Sequence, residues 1–266
     1  MTIPPEIKSS ELAAGQTDEY CTKIRNDRAA SLCADCPMRN FNICGVLLGK
    51  PLPEDDSSRP KPIWQVQKKV PARRNIKNAG EQADRVSVIC EGWAFRFVQL
   101  PDGRRQILSI LIPGDVVTTT RLFDDTVRFS IQALTEVRFC GYARSTLRAQ
   151  LIGDAELLEA WASLFIVERH EHFGLLIDLG SRSADERIAH LILDLTGRLE
   201  RRGIMVDPSF TFPLPQKLVG AVTGLTAEHV NRVFGSFRKM GLIETGKRYL
   251  RVLDLAGLQR IGGLPC

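Results

Sequence analysis

The chain changes character near Leu151, and that change limits the folds open to it. Upstream lie short β-branched and aromatic runs separated by turn residues. Downstream, Asp154 to Leu179 contains no proline and carries apolar residues at helical spacing. A strand-rich unit followed by one long helix is therefore expected. In the first unit, Arg85–Cys90 and Trp93–Val98 read as strands. Asp102-Gly103 supplies a two-residue hairpin turn before Arg105–Ile112, and Pro113-Gly114-Asp115 supplies another turn. Arg128–Ala133 and Glu136–Tyr142 complete a set whose spacing predicts a sandwich or roll.

In the helical stretch Leu158, Ala162, Phe165, Ile166, Phe173, Leu176 and Ile177 form a stripe that Arg169 interrupts. His170 and His172 lie on neighbouring faces. About 26 helical residues span roughly 39 Å, more than a small roll covers. One face is expected to meet a second subunit as in a parallel coiled coil; the alternative is packing on the roll. A second helix is read at Asp185–Arg202, and short strands near Ile204–Val206 and Thr211–Phe212.

Gln216–Val222, a Thr-Gly turn and Thr226–Met240 then give two helices, with Thr226 as N-cap of the second. Gly241–Val252 reads as a hairpin around Gly246. Helix, tight glycine turn, helix and hairpin make a winged helix-turn-helix. Its second helix carries Glu228, His229, Asn231 and Arg232 in the first two turns, the end that enters a major groove. Val230, Val233, Phe234 and Phe237 form its buried side. Arg can read guanine, Glu can accept from cytosine and Asn can read adenine. Arg238, Lys239, Lys247, Arg248 and Arg251 suit phosphate contacts, which position without specifying. Glu228 and Arg232, four residues apart, also suit a simple surface pair. Charge agrees with a polyanionic partner: from Ser183 onward 12 Lys or Arg face 8 Asp or Glu, a net +4 of the chain's +5.

The N-terminal arm carries Cys33, Cys36 and Cys44 in a C-x2-C-x7-C cluster among polar and turn residues. Local loop closure lets such thiolates converge cheaply on one centre. Soft sulfur selects zinc, copper(I) or an iron–sulfur cluster, and a fourth ligand is needed. Cys21, Cys90, Cys140 and Cys266 are the candidates. An odd count of seven cysteines and no charged-then-apolar leader argue against a secreted disulfide framework. No run approaches the roughly 18 apolar residues of a membrane span, so a cytoplasmic protein is expected. There is no Ser/His/Asp set and no phosphate loop, and only four histidines, so an enzyme is not expected. The prolines and charges of Pro51–Pro60 predict a linker.

These parts together resemble the CRP/FNR superfamily of bacterial transcription regulators over nearly the whole length. Gly92–Phe95, Asp102–Leu108 and Pro113–Asp115 look like its β-roll signatures, and Gly224–Val233 looks like its recognition helix. The resemblance implies an α+β architecture. Its parts would be an N-terminal arm (1–58), a cyclic-nucleotide-binding-like β-roll of jelly-roll type (59–150), a dimerisation helix (151–182) and a winged helix-turn-helix (183–266). The cysteines are similar to the FNR branch, which implies a [4Fe-4S] cluster on Cys33, Cys36, Cys44 and Cys140, with Cys90 as core and Cys21 as the best substitute for Cys140. It also implies oxygen sensing, a homodimer on a palindromic double-stranded DNA operator, and contact with RNA polymerase. Structural zinc on the same thiols is the alternative.

Two departures stand out. The final cysteine gap of seven is longer than in the best-known enteric regulator and looks similar to FnrN-like regulators of alphaproteobacteria. Asn231 stands where the FNR pattern has serine. A cyclic nucleotide is disfavoured, because Thr118-Thr119 replaces the Gly-Glu pair seen in cyclic-AMP binders and Phe129 follows Arg128 where a Ser or Thr is needed.

Overall fold

The computed structural model describes residues 38, 42–49, 65–82, 84–124, 126–205 and 208–263. Helix α1 is Asn42–Gly49. Strands β1 (Gln65–Val70), β2 (Asn75–Lys77), β3 (Arg85–Glu91), β4 (Ala94–Gln99), β5 (Arg105–Leu111), β6 (Ser130–Ala133) and β7 (Val137–Ala143) follow. They form two antiparallel sheets, ordered β1-β7-β3 and β2-β6-β4-β5. Period-two alternation divides their faces. Ile89, Ala94, Leu111, Val117, Ile131, Val137 and Phe139 pack together inside the roll. Val86, Val88 and Tyr142 lie on the outer face of β3 and β7.

One feature of the roll differs from the sequence reading. The β4–β5 connection is longer than a two-residue turn, since Gln99 pairs with Arg105. Pro101 cannot join the ladder, and Gly103 takes φ +84° to close the longer loop. Gly92, at φ +85°, joins β3 to β4 so tightly that a Cβ there would run into the Glu136 carbonyl oxygen.

Helix α2 (Arg144–Gly153) leaves β7 and ends at Asp154. The Asp154 side chain then caps α3 (Ala155–Ser181) by accepting from Leu157 N. Only Leu157 and Trp161 of α3 are fully buried. Its first turns cover the outer face of β3 and β7. Leu158, Ile166, Phe173, Leu176 and Ile177 of the expected stripe are exposed, whereas Phe165 is partly buried.

Helix α4 (Ala184–Arg201) opens with a reciprocal capping box between Ser183 and Glu186. The wing is β8 (Ser209–Thr211), β9 (Ile243–Thr245) and β10 (Tyr249–Val252), in the order β8-β10-β9. Helices α5 (Gln216–Thr223), α6 (Ala227–Lys239) and α7 (Leu255–Gly262) complete the unit. Ile204 and Met205 are not in a strand, contrary to the sequence reading. The chain there is leaving α4 through Gly203, and the Ile204 N–H donates to the Leu199 carbonyl instead of to a ladder. Val206, Pro51–Pro60, Cys21, Cys33, Cys36 and Cys266 lie outside the described residues.

The C-terminal core of Ile188, Ile192, Val219, Phe234 and Phe237 continues into Phe95, Phe97, Ile107 and Ile110 on β4 and β5. A buried charge cluster ties the same joint. Asp115 accepts from Arg198 Nη2 and Arg202 Nη2, each at 2.6 Å, and from Ile112 N at 2.8 Å. Arg202 also donates to the Pro113 carbonyl at 2.6 Å. Burial alone would raise the Asp115 carboxyl, but the two guanidiniums hold it below the usual carboxylate range. Asp115→Asn is therefore expected to cost about 3–5 kcal/mol in urea unfolding, because two buried cations lose their anion. The depressed carboxyl contributes stability above its unfolded pKa of ~3.9 and loses it as pH falls through the lower folded value. The Asn variant should lack that part of the acid-induced fall in stability.

Candidate nucleic-acid interface and thiol site

The helix-turn-helix is set by its turn. Gly224 closes α5 at φ +69° with its N–H on the Gly220 carbonyl, and Leu225 N donates to the same oxygen at 2.9 Å. A Cβ on Gly220 would collide with the Leu225 carbonyl oxygen, so the two helices approach through bare backbone. Thr226 accepts from His229 N at 3.2 Å and fixes the start of α6. Val230, Val233, Phe234 and Phe237 are buried as expected from their spacing.

The opposite side of α6 faces solvent. Glu228, Asn231 and Arg232 are exposed and His229 is half-buried. The Glu228 carboxyl is held below its usual range by its own backbone N–H and the Thr226 hydroxyl, so it is an acceptor at neutral pH. Asn231 Oδ1 accepts from Gln216 Nε2 at 3.1 Å, which leaves its amide donors facing outward. Arg238 and Lys239 are exposed at the end of α6, with Arg238 Nη1 donating to Thr245 Oγ1 at 3.0 Å. Lys247 and Arg248 are exposed on the β9–β10 turn, and Arg251 is half-buried on β10. The helix face and wing tip thus present donors, acceptors and cations, with Met240 and Tyr249 exposed beside Lys239 and Arg248. Sequence patterning does not single out Gln216, which opens α5.

Cys44 packs in a different hydrophobic cluster from this turn. Cys44 was expected among polar and turn residues, but it sits in α1 and is buried with Ile43, Val88, Tyr142, Leu157 and Trp161. Its neighbours Ile43, Val46 and Leu47 make the local sequence apolar enough to dock a short helix. Cys44 Sγ is 3.9 Å from the Tyr142 hydroxyl. Cys140 precedes Tyr142 by two residues and so shares the outer face of β7. Cys90 was read as core and is buried, yet it also borders Cys140, with the two Sγ atoms 2.7 Å apart. Among the described residues no three His, Cys, Asp or Glu side chains are gathered as a metal group. The donor chemistry nevertheless suits a sulfur-bound centre. Two thiols of the expected set share one covered face, and among the described residues the buried Trp161 indole N–H in that cluster has no acceptor.

The interior of the roll is filled by its own side chains. Arg96 of β4 pairs with Glu168 of α3 and donates to the carbonyls of Val116 and Val117 at 2.9 and 3.2 Å. Thr119 donates to the same glutamate. The cavity they line holds about 90 Å³, well below the roughly 300–1,000 Å³ of small-molecule sites. A larger cleft of about 600 Å³ lies between β5, α3 and α4.

Comparison with known proteins agrees with this assembly. Residues 67–154 match the family model of a cyclic nucleotide-binding domain, and residues 186–261 match that of a Crp-like helix-turn-helix domain. The transcriptional activator protein FnrL of Cereibacter sphaeroides is 26% identical over 245 residues, spanning 88% of this chain and 95% of that protein. An anaerobic regulatory protein of Haemophilus influenzae is 26% identical over 243 residues, 91% of each. The structure of FixK2 from Bradyrhizobium japonicum superposes with a TM-score of 0.69 at 22% identity, covering 77% of this chain and all of that one. A roll, a long helix and a winged helix-turn-helix in this order define a DNA-binding transcription regulator. The chain belongs to the CRP/FNR family.

Addition of cyclic AMP is expected to leave the melting temperature unchanged. Glu168→Ala should destabilise by about 3 kcal/mol in urea, because buried Arg96 loses its counter-charge.

Proposed function

We propose that the protein is an oxygen-responsive homodimeric activator in which thiols on the arm and the roll govern DNA binding. The observation that carries the reading is the packing of Cys44 and Tyr142 in one cluster with Leu157 and Trp161 of α3. The thiol site and the start of the long helix therefore share a core. The names of the FnrL and Haemophilus relatives, activator and anaerobic regulator, support the same direction.

Cys33, Cys36, Cys44 and Cys140 would hold a [4Fe-4S] cluster, which when bound supplies sensitivity to oxygen. The chain's own residues do the rest. With Cys44 fixed, α1 stays on the outer face of β7 and braces Leu157 and Trp161. The exposed stripe at Leu158, Ile166, Phe173, Leu176 and Ile177 then pairs with that of a second copy. Pairing sets two α6 helices about 34 Å apart, one DNA turn. Releasing the arm removes the brace; a few kcal/mol of differential stability changes operator occupancy many-fold.

In this reading the arm is 1–58, the roll 59–150, the dimer helix 151–182 and the DNA-binding unit 183–266. Glu228, His229, Asn231 and Arg232 face base edges, while Arg238, Lys239, Lys247 and Arg248 hold phosphates. RNA polymerase is the downstream partner, in the cytoplasm, and catalysis has no part.

Arg232→Ala should weaken operator binding by about 1–3 kcal/mol and relax one base position in a footprint or binding-site selection. Arg248→Ala should weaken all sequences alike and flatten the dependence of log K on log salt by about one unit. Protein purified without oxygen should contain equal iron and acid-labile sulfide, with visible absorption that bleaches in air. Cys36→Ser should lose both while keeping the fold of the roll by circular dichroism. Zinc in place of iron would overturn the oxygen response and leave the DNA-binding reading standing.

A further inference from the structure

Cys90 and Cys140 lie on neighbouring antiparallel strands whose register pairs Val88 with Cys140 and Ile89 with Phe139. The register shifts between Ile89 and Glu91, so Cys90 is the extra residue of a bulge. Alternation along β3 already sets Cys90 on the outer face with Val86 and Val88, where Cys140 stands. The two Sγ atoms are 2.7 Å apart, inside ordinary non-bonded contact and within reach of the ~2.05 Å of a disulfide. Cys90 Sγ also lies 3.8 Å from the Val88 carbonyl. Both residues are buried, at 4% and 6% exposure, which shields the folded pair from bulky thiol reagents.

We propose that Cys90 and Cys140 are a redox-active pair that forms a cross-strand disulfide when the protein meets hydrogen peroxide. The Cys140 sulfur attacks one peroxide oxygen, the O–O bond breaks, and Cys140 sulfenic acid and one water result. The Cys90 sulfur then attacks the sulfenic sulfur, an S–S bond forms and a second water leaves. Two thiols lose two electrons and two protons, and one hydrogen peroxide becomes two waters. The strands hold the second thiol in place, so the sulfenic acid is captured before further oxidation. The disulfide stands apart from the cluster reading. Only its consequence rests on that reading: Cys140 is withdrawn from the ligand set until a reductant restores it.

The sequence makes the test direct, because trypsin releases each thiol on its own peptide, Val86–Arg96 and Phe139–Arg144. Full-length metal-free protein is treated with hydrogen peroxide, quenched in acid, unfolded with N-ethylmaleimide and digested without reduction. The expected result is loss of both alkylated peptides and appearance of one cross-linked species, lighter by two hydrogens, that dithiothreitol reverses. Recovery of both peptides as alkylated thiols would overturn the proposal. So would linkage of Cys140 to an arm cysteine, or linkage of the pair only in urea. Cys90→Ala and Cys90→Ser should both abolish the species and leave Cys140 further oxidised.

A second readout separates the two ideas. Peroxide-treated wild type should take up iron and sulfide only after dithiothreitol. If the disulfide forms and uptake is unaffected, the pair is upheld and Cys140 is not the fourth ligand.

Discussion

Arg198 is where the three parts of the molecule meet. It lies on α4, reaches Asp115 at the end of a roll turn at 2.6 Å, and stands 3.8 Å from Glu171 on α3. Its burial alone would lower the guanidinium pKa, but Asp115, Asp194 and Glu171 raise it. Burial is also the first cause that raises Glu171 above its usual range, with Asp115 and Asp194 adding to it. A cluster of this kind adds little net stability compared with an apolar joint, because desolvation offsets most of the attraction. Its directional bonds do something an apolar face cannot: they fix one orientation of the DNA-binding unit on the roll. The apolar contact of Phe95 and Ile110 with the C-terminal core supplies area, and the ion cluster supplies register.

How much of this the sequence disclosed follows from how local the causes are. The strands of the roll, the long helix and the helix-turn-helix are written in short-range periodicity, and Val230, Val233, Phe234 and Phe237 were readable as one buried face. The turn at Gly224 was readable because its backbone conformation suits glycine. The Asp115 cluster was not readable, since its arginines lie more than 80 residues away and look like ordinary surface charges on an amphipathic helix. Helix α7 has no counterpart in the sequence reading. The position of Cys44 was misjudged for a related reason. Polar residues Arg39, Asn40 and Asn42 precede it, while its burial comes from Trp161 and Tyr142, about 100 residues on.

Two of the contacts that hold α3 to the roll lie at different heights, and their separation gives the site its reach. Near the start, Leu157 and Trp161 pack on the outer face of β3 and β7 beside Cys44. Two turns later Glu168 reaches the inside of the roll through Arg96 and Thr119. Arg96 takes the interior that a small ligand would otherwise need, so a signal arriving there has no room. The outer face is different. It is covered by an eight-residue helix, and a helix that short has little stability of its own. Its position depends on what its side chains touch. Whatever fixes or frees Cys44 therefore changes the packing around Trp161 while leaving the Arg96 anchor intact. On our reading, the upper part of α3 stays on the roll as its base tightens or loosens, and the exposed stripe beyond it shifts between pairing and parting.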